Sequence, residues 1–272
     1  MSKSCHRSMV AFFFKQINFV FVLVGMDRNY YKLYYRLERD HWWFAARGKM
    51  LMNHLKNLLA EKTNLKILNV GVATGRTSEL LQQFGEVISI EFDEECCAFT
   101  NEVVKIPVQQ GSILELPFQD NQFDLVCSFD VIEHVEDDHL AASELERVCK
   151  HDGIICATVP AFQFLWSQHD VVNHHYRRYT RTNFLKLFHS ELIYSSYFNF
   201  LLFFPIATFR LLTSWIKGNK NTSNKTDSEI EMNPIINKLM YRVFYLENYF
   251  LKNRLRLPVG VSIIATFKKN RK

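Results

Sequence analysis

Only 22% of the 272 residues are charged, against 48% hydrophobic, which excludes a disordered chain and reads as globular. The length excludes two large domains but lets one domain bury a full core. None of the six cysteines has the C-x-x-C spacing of a metal knuckle. Cys127 and Cys156 fall in apolar segments expected to be buried strands, where free cysteine behaves as a small hydrophobe, so a reducing, cytoplasmic compartment is expected. There is no internal repeat and no nucleic-acid-binding motif, so no nucleic-acid partner is expected. Apolar Val10–Met26 is interrupted by Lys15, Gln16 and Asn18, and no small-residue cleavage site follows. That excludes a plain transmembrane helix or signal peptide. Residues 1–25 are expected to be an upstream mis-start of the reading frame or a weak anchor.

Charge is unevenly placed. The last forty residues hold nine Lys and Arg against one acid, Glu247, leaving the rest of the chain near −3. Interleaved with Phe, Tyr and Leu, this basic segment suits the anionic inner face of a membrane.

Hydrophobic patterning predicts helix over Asp27–Ala60, then alternating strand and helix. The strands are expected at Leu65–Val70, Val87–Ile90, Pro107–Gln110, Phe123–Ser128, Gly153–Val159, Ile193–Phe200 and Val259–Phe267. Helices fall at Thr77–Gln83, Asp93–Glu102, Glu136–Lys150, Thr180–Ser190 and Pro234–Leu251. Such alternation signals a doubly wound α/β fold with helices on both faces of a mostly parallel sheet. The expected organisation is a helical lid (26–64), a core (65–200), an apolar then basic helical insert (201–258), and a final strand with a basic tail (259–272). Phe198–Phe209, twelve residues containing Pro205, is too short to span a bilayer and reads as a buried or interfacial helix.

The first strand runs through Ile67-Leu68-Asn69-Val70 into Gly71-Val72-Ala73-Thr74-Gly75. A glycine turn there exposes backbone polar groups to a ligand and lets it approach the main chain. Glu91, twenty residues beyond Gly71, closes the next strand, where a carboxylate can accept hydrogen bonds from both hydroxyls of an adenosine ribose. Either a dinucleotide or an adenosyl sulfonium fits so far. The dinucleotide fingerprint needs three glycines, but Ala73 and Arg76 occupy the second and third places, so a nicotinamide cofactor is disfavoured.

Four ordered blocks carry a resemblance. Ile67–Gly75 resembles motif I of the class I S-adenosylmethionine-dependent methyltransferases, and Val87–Asp93 their acidic second motif. Gly111–Phe118, then Phe123–Val126 with Phe129-Asp130-Val131-Ile132-Glu133-His134-Val135, resemble the two that follow. The blocks are similar to the bacterial type 11 and type 23 groups, which include quinone-pathway methyltransferases. His41-Trp42-Trp43-Phe44, Val159–Trp166 and Arg177-Arg178-Tyr179-Thr180 resemble a narrower bacterial subgroup. The resemblance implies a Rossmann-like seven-stranded sheet with the last strand antiparallel, and S-adenosyl-L-methionine as cofactor. It further implies that Gly71, Ala73 and Gly75 frame the methionine part, Glu91 takes the ribose, Phe92 flanks the adenine, Ser112 and Ile113 reach the adenine edge, and Asp130 lies near the sulfonium. Two positions depart from the pattern. Asn69 keeps an acceptor but loses the charge of an aspartate that supports the ammonium group, and Ala73 replaces the middle glycine.

Transfer to a small-molecule or lipid- or glycan-linked acceptor, at oxygen, is the expected reaction; a binding or scaffold protein of the same fold is the alternative that Asn69 and Ala73 raise. A hydroxyl acceptor needs a base, for which His134 and His169 are the candidates. Glu133, His134, His169 and His174 could together hold a divalent cation, but the spacing alone does not assign a metal. Arg177 and Arg178 could bind an anionic substrate group or pair with nearby acids. Tyr34–Phe44 is expected to pack as an aromatic lid over the pocket.

Overall fold

The computed structural model describes residues 28–60, 62–208, 210 and 233–271. The expectations for residues 1–25 and for most of the polar loop 217–233 lie outside the described residues. Two helices open the described chain, α1 (Arg28–Asp40) and α2 (Trp42–Leu59). Helical structure is expected throughout Asp27–Ala60, and His41, with extended backbone (φ −75°, ψ 132°), divides it into the two lid helices.

Seven strands follow: β1 (Leu65–Val70), β2 (Gly85–Glu91), β3 (Val108–Gln110), β4 (Phe123–Phe129), β5 (Cys149–Pro160), β6 (Glu191–Phe198) and β7 (Ser262–Lys268). They form one sheet in the order β3-β2-β1-β4-β5-β7-β6. Pairing is parallel from β3 to β5, and β7 is antiparallel to both of its neighbours. The sheet class and the antiparallel last strand match the expectation. Strand order turns outward in both directions from β1 and β4, so the carboxyl ends of that pair form the switch-point crevice where ligands bind in such sheets.

Helices α3 (Arg76–Leu81), α4 (Glu94–Val103), α5 (Asp138–Val148), α6 (Gln168–Val172) and α7 (Arg181–Leu185) lie among the strands, and α8 (Pro234–Tyr245) and α9 (Asn248–Lys252) precede β7. Successive strand residues point to opposite faces. Leu68, Val126 and Ile155 join Phe184, Leu187 and Phe267 on one side. Ile67, Leu125, Cys127 and Cys156 meet Met50 and Leu55 of α2 and Phe244 of α8 on the other. Both faces are thus covered, which explains the near-continuous apolar runs of β1, β4 and β5.

A buried histidine ties the second face together. His54 Nε2 lies 2.9 Å from Thr266 Oγ1 of β7, and its ring packs on Tyr194 of β6. Burial lowers its pKa to about 4, the contact with the Leu251 backbone opposing only in part. The folded state therefore binds fewer protons than the unfolded state between pH 6.5 and 4. Stability from this group is complete above pH 6.5 and is lost as pH falls through that window, by on the order of 3 kcal/mol. Urea unfolding of wild type against His54→Phe, at pH 7.5 and 4.5, should show the larger drop in the wild type.

Candidate active site

The crevice is built from three turns at the carboxyl edge. After β1 the chain passes through Gly71 (φ 69°), Ala73 (φ 47°) and Gly75 (φ 84°), all in the left-handed region. At Gly71 this is coupled to a close approach, because a β-carbon would lie 2.3 Å from Val131 Cγ2 beyond β4. The turns after β1 and β4 thus touch only because position 71 lacks a side chain. Ala73 meets the same backbone requirement at a steric cost glycine would avoid.

Glu91 closes β2 and spans this turn. One carboxylate oxygen accepts from Ala73 N–H at 2.7 Å and the other from Phe92 N–H at 2.8 Å. Burial raises its pKa, while the N–H groups of Ala73, Asp93 and Phe92 oppose the rise. Phe92 leaves its ring 56% exposed beside this carboxylate. In the next turn Ser112 Oγ accepts from Leu114 N–H at 3.1 Å, and Ile113 is buried. Asn69 turns toward α3, its amide donating to Thr77 Oγ1 (2.8 Å) and Ser78 Oγ (2.9 Å). That NH₂ braces the turn from below.

Asp130, just past β4, has φ 58°, a conformation worth roughly 1–3 kcal/mol of strain. It is held by Asp130 N–H donating to Thr158 O at 2.9 Å, by Thr158 Oγ1 donating to its carboxylate at 2.9 Å, and by Arg47 at 2.6 Å. Arg47, from α2, is 6% exposed; it also donates to Thr158 Oγ1 and rests near the Trp43 ring, while its Nε–H has no partner among the described residues. Arg47 was not among the predicted site residues.

Helix α1 straps over the crevice. Tyr31 donates to Asp93 at 2.9 Å, Thr74 donates to Glu38, and Arg39 pairs with Glu79 at 2.6 Å. Burial lifts the Glu38 pKa to about 7, against the opposing contacts of Thr74, Arg39 and the Arg76 backbone. Tyr34 stacks on Tyr30 and meets Phe44 edge-on; burial and then Glu38 push its phenol well above the ordinary range. Glu38 too went unpredicted, because nothing in a helical heptad of tyrosines marks which acid faces a turn 36 residues away.

The histidines are sorted by the fold. Asp170 of α6 is fully buried and accepts from Arg178 Nε (2.7 Å), Arg178 NH2 (3.0 Å) and Ser167 N–H (2.8 Å), and it pairs with His175 Nδ1 at 2.9 Å. Burial alone would raise its pKa; His175 and Arg178 outweigh that and hold it well below the carboxylate range. Arg177 takes the expected alternative of an acid partner, Asp138 at 2.8 Å, whereas Arg178 pairs with Asp170, an acid not anticipated for it. Of the two candidate bases, His134 is exposed in its turn and packs edge-on against His175; desolvation of the ring and then His175 lower its pKa. His169 lies near Asn173, its Nδ1 3.3 Å from that amide. Glu133 is fully buried with neither carboxylate oxygen partnered among the described residues, and its pKa is driven well up by burial and Asp130. The structure brings Glu133 and His134 together with His175, rather than with the expected His169 and His174. A recess between Thr63–Lys66 and Gln82–Glu86 lies at the opposite, amino edge and contains none of these groups.

Residues 68–157 match the family model described as methyltransferase domain. A protein of Mycolicibacterium smegmatis described as a probable S-adenosylmethionine-dependent methyltransferase is 27% identical over 126 residues, covering 46% of this chain and 48% of its own. A demethylmenaquinone methyltransferase of Staphylococcus carnosus is 34% identical over 89 residues, 29% of this chain and 37% of its own. The chain thus spans about half the length, or less, of these relatives. Among solved structures, the Bacillus subtilis YcgJ protein superposes with a TM-score of 0.51 at 16% identity, over 82% of this chain and 99% of its own. The cyclase SpnF does so with a TM-score of 0.50 at 15% identity, over 81% of each chain. At such identities the structural likeness establishes fold alone, and motif order and family match carry the rest. Residues 68–157 thus match a methyltransferase domain and are similar to S-adenosylmethionine-dependent methyltransferases, within a seven-stranded sheet that β6 and β7 complete.

Proposed function

We propose that the protein transfers a methyl group from S-adenosylmethionine to a small or lipid- or glycan-linked acceptor, at oxygen. The observation that carries the cofactor half is Glu91, whose carboxylate is fixed across the glycine turn by Ala73 N–H. A carboxylate so placed suits the two hydroxyls of a ribose. Gly71, Ala73 and Gly75 would frame the methionine part, Phe92 would offer its exposed ring to the adenine, and Ser112 and Ile113 would border the adenine edge. Glu38, Glu91 and Asp130 converge on one crevice, a charge pattern suited to a cationic ligand. Glu38 would add a carboxyl acceptor near the turn, and the unpartnered Arg47 Nε–H would suit the methionine carboxylate.

When bound, the cofactor supplies an electrophilic methyl group on a sulfonium that already carries its charge. The chain's own task is then alignment and exclusion of water. Asp130, pinned by Arg47 and Thr158, would border the sulfonium side. Tyr30, Tyr34 and Phe44 would close the crevice over a flat or greasy acceptor. His134 and His169 are the candidate bases for a hydroxyl acceptor. Titration calorimetry of the purified chain with S-adenosylmethionine tests the reading, and absence of binding overturns it.

One surface favours a membrane-borne acceptor. On α8, Ile235, Ile236 and Leu239 are 78%, 50% and 54% exposed, and the basic Lys238 and Arg242 are exposed beside them. An amphipathic helix of this kind suits an anionic lipid surface. Among the described residues no helix is long and apolar enough to cross a membrane. Sedimentation should carry the protein down with phosphatidylserine-containing vesicles at low salt, less so at high salt, and not with neutral vesicles. Equal recovery in all three supernatants would remove the membrane reading.

A further inference from the structure

We propose that Glu133, His134 and His175 form a binding site for one divalent first-row transition cation at the carboxyl edge of the sheet. Their donor atoms all lie within 4.8 Å of one another. Two imidazoles and a carboxylate are the donor set that suits zinc, iron(II), cobalt or manganese, rather than the all-oxygen shell of calcium or magnesium.

Three independent features point to a cation. First, a fully buried carboxylate without a hydrogen-bond partner is costly, and Glu133 is one. Arg47 and Arg178 offset this only in part, because Arg47 is paired with Asp130 and Arg178 with Asp170. Second, His175 has its other nitrogen held, as metal-ligating histidines do. Its Nδ1 is fixed at 2.9 Å by Asp170. This leaves the remaining ring nitrogen of His175 for a ligand. Third, the anchors come from separate elements. Glu133 and His134 lie in the short turn Ile132–His134 after β4, and His175 follows α6, the two stretches being joined by Tyr176 N–H donating to Glu133 O at 2.7 Å. The rings of His134 and His175 meet edge-on with centroids 4.5 Å apart, so side-chain rotation can draw the donors toward the ~2.0–2.2 Å radius of a metal bond. Three protein donors leave coordination positions open for an outside oxygen. That an acceptor uses them rests on the methyltransferase reading; the cation site does not.

The test is metal stoichiometry on the purified full-length chain, stripped with a chelator and dialysed separately against zinc, cobalt(II), manganese or iron(II) under argon. About one equivalent of at least one cation is expected, with cobalt(II) giving visible absorption of the bound ion. Glu133→Gln, His134→Ala and His175→Ala should each lower occupancy at least tenfold, while His189→Ala, at an exposed histidine elsewhere, should not. Thermal unfolding confirms that a variant folds, and any one folded variant suffices for the comparison. Less than 0.1 equivalent of every cation on the wild type, or occupancy unchanged in a folded variant, overturns the proposal. Calorimetry with S-adenosylmethionine on the same samples separates the readings: cofactor binding without metal sinks only the cation site, and metal without cofactor binding sinks only the methyl-transfer reading.

Discussion

Glu91→Ala is expected to raise the dissociation constant for S-adenosylmethionine by at least about 100-fold in titration calorimetry. Two hydrogen bonds from ribose hydroxyls to one carboxylate, at about 1.5–3 kcal/mol each, comfortably exceed the ~2.7 kcal/mol that a hundredfold change requires. The carboxylate also accepts from Ala73 and Phe92 N–H, so its loss would loosen the turn that carries Gly71. Glu91→Gln isolates the charge. It keeps an acceptor carbonyl and should lose only about tenfold, whereas a loosened turn would make the two variants equally poor. Binding by Glu91→Ala within threefold of wild type would detach Glu91 from the cofactor and leave the crevice without its ribose anchor.

The glycine turn after β1 and the acid that closes β2 were legible because their determinants are local. A strand, a left-handed turn and an acid at the next strand end lie within twenty-five residues, and the parallel β1–β2 register brings Val70 opposite Ile90 directly. The acceptor side depends on contacts between distant elements. Arg47 follows the recognisable His41–Phe44 block by one helical turn, yet its meeting with Asp130 and Thr158 needs α2 laid across the carboxyl ends of β4 and β5. Glu38 depends in the same way on the angle at which α1 crosses the turn. The pair His174-His175 shows the limit most sharply. Composition gives the two no difference, but His174 adopts φ 54° and sends its neighbour inward to Asp170. The residue beside candidate base His169 thus proves to be the anchor of the loop.

That anchor makes Asp170 the position where a single change should cost the fold most. Asp170→Ala would leave the Arg178 side chain, 3% exposed, with only a 3.3 Å contact to Ala161 O in place of a bidentate carboxylate. Removing one member of a buried ion pair costs about 3–5 kcal/mol, because the other charge stays desolvated and uncompensated. For a chain of this size that corresponds to a fall in Tm of roughly 10 °C, readable by calorimetry or circular dichroism. Replacing both partners, as Asp170→Leu with Arg178→Met, removes the stranded charge and should recover most of the loss, though not the orientation of His175. The double variant would then fold nearly as well as wild type yet hold less metal, separating what Asp170 does for stability from what it does for the His175 ring. A single Asp170→Ala variant within 1 kcal/mol of wild type would mean that water reaches Arg178, and the loop after β5 would have to be held by its apolar contacts at Leu165 and Phe162 instead.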